Sequence, residues 1–122
     1  MEGMFDVEVS ECDYTLIVSC HINNTYNAVE CNKNFCMRNK EIFHYIVLNV
    51  CRLIVSPQFR GMGLGTALMT KLIQVADDEQ YELELCINPY GDLTYEQLER
   101  FYSKFGFFEE EEGIWVRYPE MK

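Results

Sequence analysis

No stretch of this chain stays apolar over the roughly 20 positions that a membrane-crossing helix requires. No transmembrane segment is expected. The first residues, Met1-Glu2-Gly3-Met4-Phe5-Asp6, are acidic where a secretory leader is basic, so a cytoplasmic location is expected. Positive charge is scarce: ten Lys and Arg stand against twenty Asp and Glu, leaving a net charge of −10. Binding to nucleic acid calls for a basic stripe, so direct contact with DNA or RNA is not expected. The acidic excess favours a cationic acceptor, such as a polyamine, an amino sugar or a lysine on a basic protein. It would equally serve only to keep a small protein dissolved. Histidine occurs twice, at His21 and His44. The six cysteines (Cys12, Cys20, Cys31, Cys36, Cys51, Cys86) include no C-x-x-C pair, and four residues separate Cys31 from Cys36. No metal-ligand set is visible, and the cysteines read as buried, reduced thiols.

What remains describes one folded unit. The 122 residues suit a single domain, 1–122, burying about two-thirds of its unfolded surface. A 48% hydrophobic content supplies a core, and 25% charged residues argue against general disorder. There is no linker and no repeat, and the only low-complexity run is the four glutamates at 109–112.

Along the chain, Tyr14 to Cys20 is rich in β-branched residues and reads as a strand. Asn23-Asn24 marks a turn, residues 26–37 a further strand, and Arg38-Asn39-Lys40 another turn. An apolar strand runs from Ile46 to Val55, followed by the turn Ser56-Pro57-Gln58-Phe59. Tyr81 to Ile87 alternates with period two, as a half-buried strand does. Asn88-Pro89-Tyr90-Gly91-Asp92 breaks it. Thr94 with Gln97 forms a capping box opening a helix whose apolar side is Leu98, Phe101, Tyr102 and Phe105, and Gly106 stops that helix. Phe107 to Tyr118 reads as a terminal hairpin, with the glutamate run at its tip.

The chemistry centres on Arg60-Gly61-Met62-Gly63-Leu64-Gly65. It lies between the apolar strand and a helix signalled by Leu64, Ala67, Leu68, Leu72, Val75 and Ala76, spaced three and four apart. Glycines at alternate positions allow a tight turn with unobstructed N–H groups, and a helix N-terminus adds unpaired donors and partial positive charge. That combination binds phosphate. A bare G-x-G-x-G is also what a glycine-softened turn looks like. No Lys follows the last glycine, which excludes the phosphate loop of nucleotide hydrolases, and the spacing is wrong for the G-x-G-x-x-G dinucleotide fingerprint.

Arg60, Gly63 and Gly65 meet the R-x-x-G-x-G/A signature of the GNAT superfamily of N-acetyltransferases, and Val55 and Pro57 extend the match upstream. Downstream, Phe101-Tyr102-Ser103-Lys104-Phe105-Gly106-Phe107 is similar to that family's L-Y-x-x-x-G-F helix motif. The resemblance spans roughly residues 46–118. The compact size also resembles very small phage-type members, among them anti-CRISPR acetyltransferases that modify a lysine on a nuclease. The implied fold is α/β, a central mixed β-sheet flanked by helices. About 45 residues cannot hold three strands together with the two helices that usually follow the first strand, so the N-terminal helical region is expected to be trimmed.

The resemblance implies acetyl-CoA as cofactor, its diphosphate held by the backbone of Arg60, Gly61, Met62, Gly63, Leu64, Gly65 and Thr66. Its pantetheine arm would lie along Leu53, Ile54 and Val55, where in this family the strand splays from its neighbour at a bulge. An N–H near Val55 would stabilise the oxyanion. The implied activity is an N-acetyltransferase in which a primary amine attacks the thioester directly, within a ternary complex. The acceptor would be a small cationic amine or a protein lysine. A lysine must first lose a proton, at a cost of about 4.6 kcal/mol at pH 7. Some superfamily members carry a Glu for this at the position of Asn49, which cannot take a proton. Glu84 or His44 are the remaining candidates, or water reached through an ordered chain. Glu84 shares its strand face with Glu82 and Cys86, which is also how a solvated face reads. Tyr102 matches the tyrosine that serves the departing thiolate. The alternative is a non-catalytic acetyl-CoA sensor or partner-binding module, which the Asn at 49 favours and the intact Tyr102 disfavours. Trp115 with Tyr118 would suit a homodimer interface.

Overall fold

The computed structural model describes residues 5–37, 44–89 and 93–120. Three antiparallel pairings build its first half. Strands β1 (Glu8–Glu11) and β2 (Thr15–Ile22) pair antiparallel across a three-residue connection, and β2 turns into β3 (Thr25–Met37) through Asn23 and Asn24. Both asparagines have positive φ, 50° and 62°. Two consecutive left-handed residues give the tight turn whose twist matches a hairpin, and Asn tolerates that conformation better than most residues. β3 then pairs antiparallel with β4 (His44–Ile54). No helix stands between β1 and β2, so the N-terminal helical region is trimmed as expected. The expected turn at 38–40 lies outside the described residues.

After β4 the chain makes a 3-10 turn at Pro57–Phe59 and enters helix α1 (Leu64–Glu79). It returns as β5 (Glu82–Leu85), parallel to β4. Helix α2 (Tyr95–Ser103) follows, opened by the expected capping box: Thr94 Oγ1 accepts from Gln97 N, and Gln97 Oε1 accepts from Thr94 N. Strands β6 (Phe108–Glu111) and β7 (Ile114–Arg117) form the terminal hairpin. Among the described residues the result is one mixed seven-stranded sheet in the order β1-β2-β3-β4-β5-β7-β6, with two α-helices. Among the described residues, no helix is long and apolar enough to cross a membrane.

Both helices pack on one face of this sheet. Trp115 and Arg117 share a face of β7 by strand alternation. The Trp115 indole N–H reaches Tyr95 of α2 at 3.4 Å, and the Arg117 guanidinium grips Asp77 of α1 at 2.7 Å. Leu16, Val18, Val29, Leu48, Leu83 and Leu85 line the same face against Leu64, Leu68, Met69 and Leu72, forming the core. Tyr118, one residue beyond Arg117, falls on the opposite face, where its ring tilts against Phe108. Trp115 and Tyr118 therefore do not form one joint surface for a homodimer: their odd spacing separates them, and Trp115 is buried.

The described cysteines are free thiols, but only Cys20 and Cys31 are buried; Cys12, Cys51 and Cys86 are exposed. The expectation of uniformly buried thiols is corrected accordingly. Burial first, then the neighbouring Cys51 and Glu30, pushes the Cys31 thiol up to about 12.

Candidate functional site

The decisive local feature is one extra residue in β4. Glu30 pairs with Arg52 and Cys31 with Val50, so Cys51 is unmatched on β3 and forms a β-bulge. A bulge bends its strand. The parallel pairing of β4 with β5 covers only Val47 to Asn49 against Glu82 to Glu84. Beyond it, β4 continues along β3 to Ile54, while β5 continues along β7. The sheet thus opens between β4 and β5 immediately after Asn49 and Glu84.

A cavity of about 340 Å³ fills this opening, lined by Val50 to Val55, Arg60, Leu85, Cys86, Asn88, Leu98 and Tyr102. Val50, Leu85, Leu98 and Tyr102 belong to the helix-covered side, whereas Arg52 and Cys86 follow Glu30 and Glu84 onto the other face. The opening is therefore a passage through the sheet. Tyr102 is buried, its ring edge-on to Phe101 and Phe107 at centroid distances of 5.3 and 5.8 Å.

On the helix side the passage continues into a groove of about 480 Å³ between the glycine turn and α2. One wall holds Arg60, Gly61, Gly63, Leu64, Gly65 and Thr66; the other holds Leu93, Gln97, Arg100, Phe101 and Lys104. Gly61 and Gly63 have φ of 79° and 85°, a left-handed conformation that explains glycine at both. Gly65 differs: a Cβ there would make only ordinary contact with Phe101 and Val55, at 3.7 Å, at the groove wall.

The two helices begin in contrasting ways. α2 is capped by Thr94 and carries Glu96 in its first turn. α1 has Gly63 at its N-cap, no side-chain cap and no acidic residue in its first turn. The N–H groups of Leu64, Gly65 and Thr66 have no intrahelical acceptor, so α1 presents open donors and its positive end to the groove. The N–H groups of Arg60 and Met62 are already donated to Pro57 O and Phe59 O. The approach to this turn is pinned by Asn27, fully buried, whose Oδ1 accepts from Ser56 N at 2.9 Å while Nδ2 donates to Cys20 O and Thr25 O. Its side chain continues the β3–β4 ladder one step past the last backbone pair, Ala28 with Ile54.

Most of the candidates read from the sequence converge here: Leu53, Ile54, Val55, Arg60, Gly61, Gly63, Leu64, Gly65, Thr66 and Tyr102 line the passage or the groove. Met62 does not; it lines a separate hollow with Phe5, His21 and Ile22. Glu84 is half-buried at the last paired step, on the helix-free side, and does not line the passage. His44 starts β4, six residues before Val50 and so about 20 Å along the strand from the opening. The sequence reading missed Cys51, Cys86 and Asn88 in the passage and Gln97, Arg100 and Lys104 in the groove. Only the last three carried a signal, since with Phe101 they recur at helical spacing on one stripe of α2.

Residues 20–109 match the family model described as "Acetyltransferase (GNAT) domain". No curated protein matches the chain. Among solved structures, it is similar to one described as "The crystal structure of KacTA-DNA complex", with 16% identity and a TM-score of 0.60, over 88% of this chain and 70% of that one. It is also similar to an integron cassette protein from the mobile metagenome of V. cholerae, at 18% identity and a TM-score of 0.52, over 93% of this chain and 64% of that one. A weaker likeness, TM-score 0.49 at 14% identity over 90% and 96% of the two chains, is to the anti-CRISPR protein AcrVA5. The structural likenesses speak to the fold alone. The family model spans most of the sequence, including the bulged strand, the glycine turn and α2, and on that ground the chain belongs to the GNAT acetyltransferases.

Proposed function

We propose that this protein is an acetyl-CoA-dependent N-acetyltransferase acting on a primary amine by direct attack in a ternary complex, with residues 1–122 working as one domain. GNAT domains generally bind acetyl-CoA, and the residues present fit it. The uncapped start of α1 suits a diphosphate, the strand edge opened at Cys51 suits an extended amide-bearing arm, and the passage suits its reactive end. The observation that carries the reading is the continuity of groove and passage, which share Leu53, Val55, Arg60 and Leu98.

When bound, acetyl-CoA supplies an acetyl group activated as a thioester. The chain's own residues do the rest. Gly61, Gly63, Leu64, Gly65 and Thr66 would hold the diphosphate through their N–H groups, with Arg60 adding charge. Leu53 to Val55 would hold the arm, and an N–H near Val55 would stabilise negative charge on the acyl oxygen. Tyr102 holds a proton at Oη for the departing sulfur. A phenol near 10 and a thiol near 8.5 make full transfer uphill by about 2 kcal/mol, so a hydrogen bond is the better description. The amine enters from the helix-free face, since the groove on the other side is given to the donor. Glu84 lies on that face at the edge of the opening and takes the amine's proton through water.

The test is release of free coenzyme A thiol over a panel of polyamines, aminoglycosides and lysine peptides, with Tyr102→Phe alongside. Turnover on some amine, reduced in the variant, supports the reading. Asn49 favours a second reading, a binder without turnover: acetyl-CoA would then bind and no amine would be acetylated.

A further inference from the structure

The glycine turn and Arg60 account for one diphosphate, yet the groove holds two more cations, on a different element. Arg100 and Lys104 line the wall opposite the start of α1. They sit four residues apart, on the stripe that includes Gln97 and Phe101. Among the described residues, the ion pairs engage Lys33, Arg52 and Arg117; of Arg60, Lys71, Arg100 and Lys104, which have none, all but Lys71 line the groove. In a chain with twenty acidic residues, three cations left without a carboxylate around one groove is a directed arrangement. Cations also suit the C-terminal end of a helix, where Arg100 sits. That role would be met by any outward direction, whereas both side chains line the groove.

We propose that Arg100 and Lys104 form a second phosphate site, separate from the glycine turn, that reads the 3′-phosphate of coenzyme A. The inference rests on the donor assignment above. A phosphomonoester carries up to two negative charges and three acceptor oxygens. A guanidinium and an ammonium one helical turn apart can contact it together, through charge-assisted hydrogen bonds. Phe101, between them on the stripe, offers an apolar surface to the attached nucleoside. The site makes the protein selective for the 3′-phosphorylated donor over its dephosphorylated form, which keeps the diphosphate, the arm and the thioester.

The experiment is calorimetric titration with acetyl-CoA and with acetyl-3′-dephospho-CoA, at low and high salt. The proteins are the parent, the double variant Arg100→Gln/Lys104→Gln, and the conservative Lys104→Arg. The parent should bind the 3′-phosphorylated form at least about tenfold more tightly, and the advantage should shrink as salt rises. The double variant should bind both forms with the affinity the parent has for the dephosphorylated one. Lys104→Arg should keep the preference. Equal binding of both forms by the parent overturns the proposal while leaving the donor assignment intact, as does a preference surviving in the double variant. Binding of neither form by the parent overturns the donor assignment and the proposal with it.

Discussion

Asn49 and Glu84 stand opposite each other at the last paired step of β4 and β5, on the helix-free face, where the sheet opens. The amide cannot accept a proton and the carboxylate can, so the register puts the one basic group of the pair on β5 rather than β4. Glu84→Gln is predicted to lower kcat/KM for the amine by about tenfold or more. Acetyl-CoA affinity should be unchanged, because Glu84 does not line the passage or the groove. Unchanged kcat/KM would assign deprotonation to solvent.

Tyr102 combines burial in an aromatic cluster with a place in the passage wall. Replacing it by Phe keeps the ring contacts and removes only the hydroxyl. The expected result is a melting temperature close to that of the parent and a kcat reduced by about 10- to 100-fold. Full activity in the variant would return Tyr102 to a packing role.

Much of this site was legible in the sequence, and the reasons are local. The glycine turn follows a strand and opens a helix, so its spacing carries geometry directly. The Thr94–Gln97 box and the alternation around Leu83 and Leu85 are likewise set by neighbours in sequence. The resemblance implied a bulge in this strand, but its position at Cys51 left no mark, because it is defined by the partner strand: only against Glu30 and Cys31 does Cys51 become surplus. The facing of Arg100 and Lys104 was hidden for the same reason. Helical spacing puts them on one stripe, but which stripe meets α1 depends on how α2 lies on the sheet. The place of His44 was hidden too: its chemistry is visible in the sequence, whereas its position at the far end of β4 from the bulge is not.

Arg117 and Asp77 join the end of α1 to β7 by two hydrogen bonds of 2.7 and 3.1 Å. Arg117 Nε also donates to Phe105 O, at the exit of α2, and Asp77 accepts from Glu120 N. Removing one partner leaves the other charge largely buried. Asp77→Ala is therefore predicted to cost about 3 kcal/mol in chemical denaturation. The paired replacement Asp77→Leu/Arg117→Leu should cost less than the sum of the two single changes.

Glu11 bonds the Tyr81 hydroxyl at 2.6 Å and Lys33 Nζ at 2.6 Å, tying β1 to β3 and to the start of β5. Burial pushes its carboxyl up, but the hydrogen bonds from Lys33 and Tyr81 and the Lys33 charge outweigh that, and it ends below its ordinary value of 4.5. The folded state then binds this proton less readily than the unfolded chain. Its stabilisation is fully present above 4.5 and is lost as pH falls through the lower, folded value. Glu11→Gln should be less stable than the parent by about 1 kcal/mol at pH 7. The gap should close in acid, as read from urea midpoints across pH. A gap independent of pH would mean that shape, not charge, sets its contribution.

The most direct test of the account is titration of the purified protein with acetyl-CoA beside Gly65→Asp. The substitution meets no clash at Cβ, which would touch only Phe101 and Val55 at 3.7 Å. It also sets negative charge among the open donors of α1. The predicted result is one-to-one binding by the parent, lost in a variant that melts as the parent does. No binding by the folded parent, or equal binding by the variant, would contradict the assignment of the glycine turn as the phosphate site.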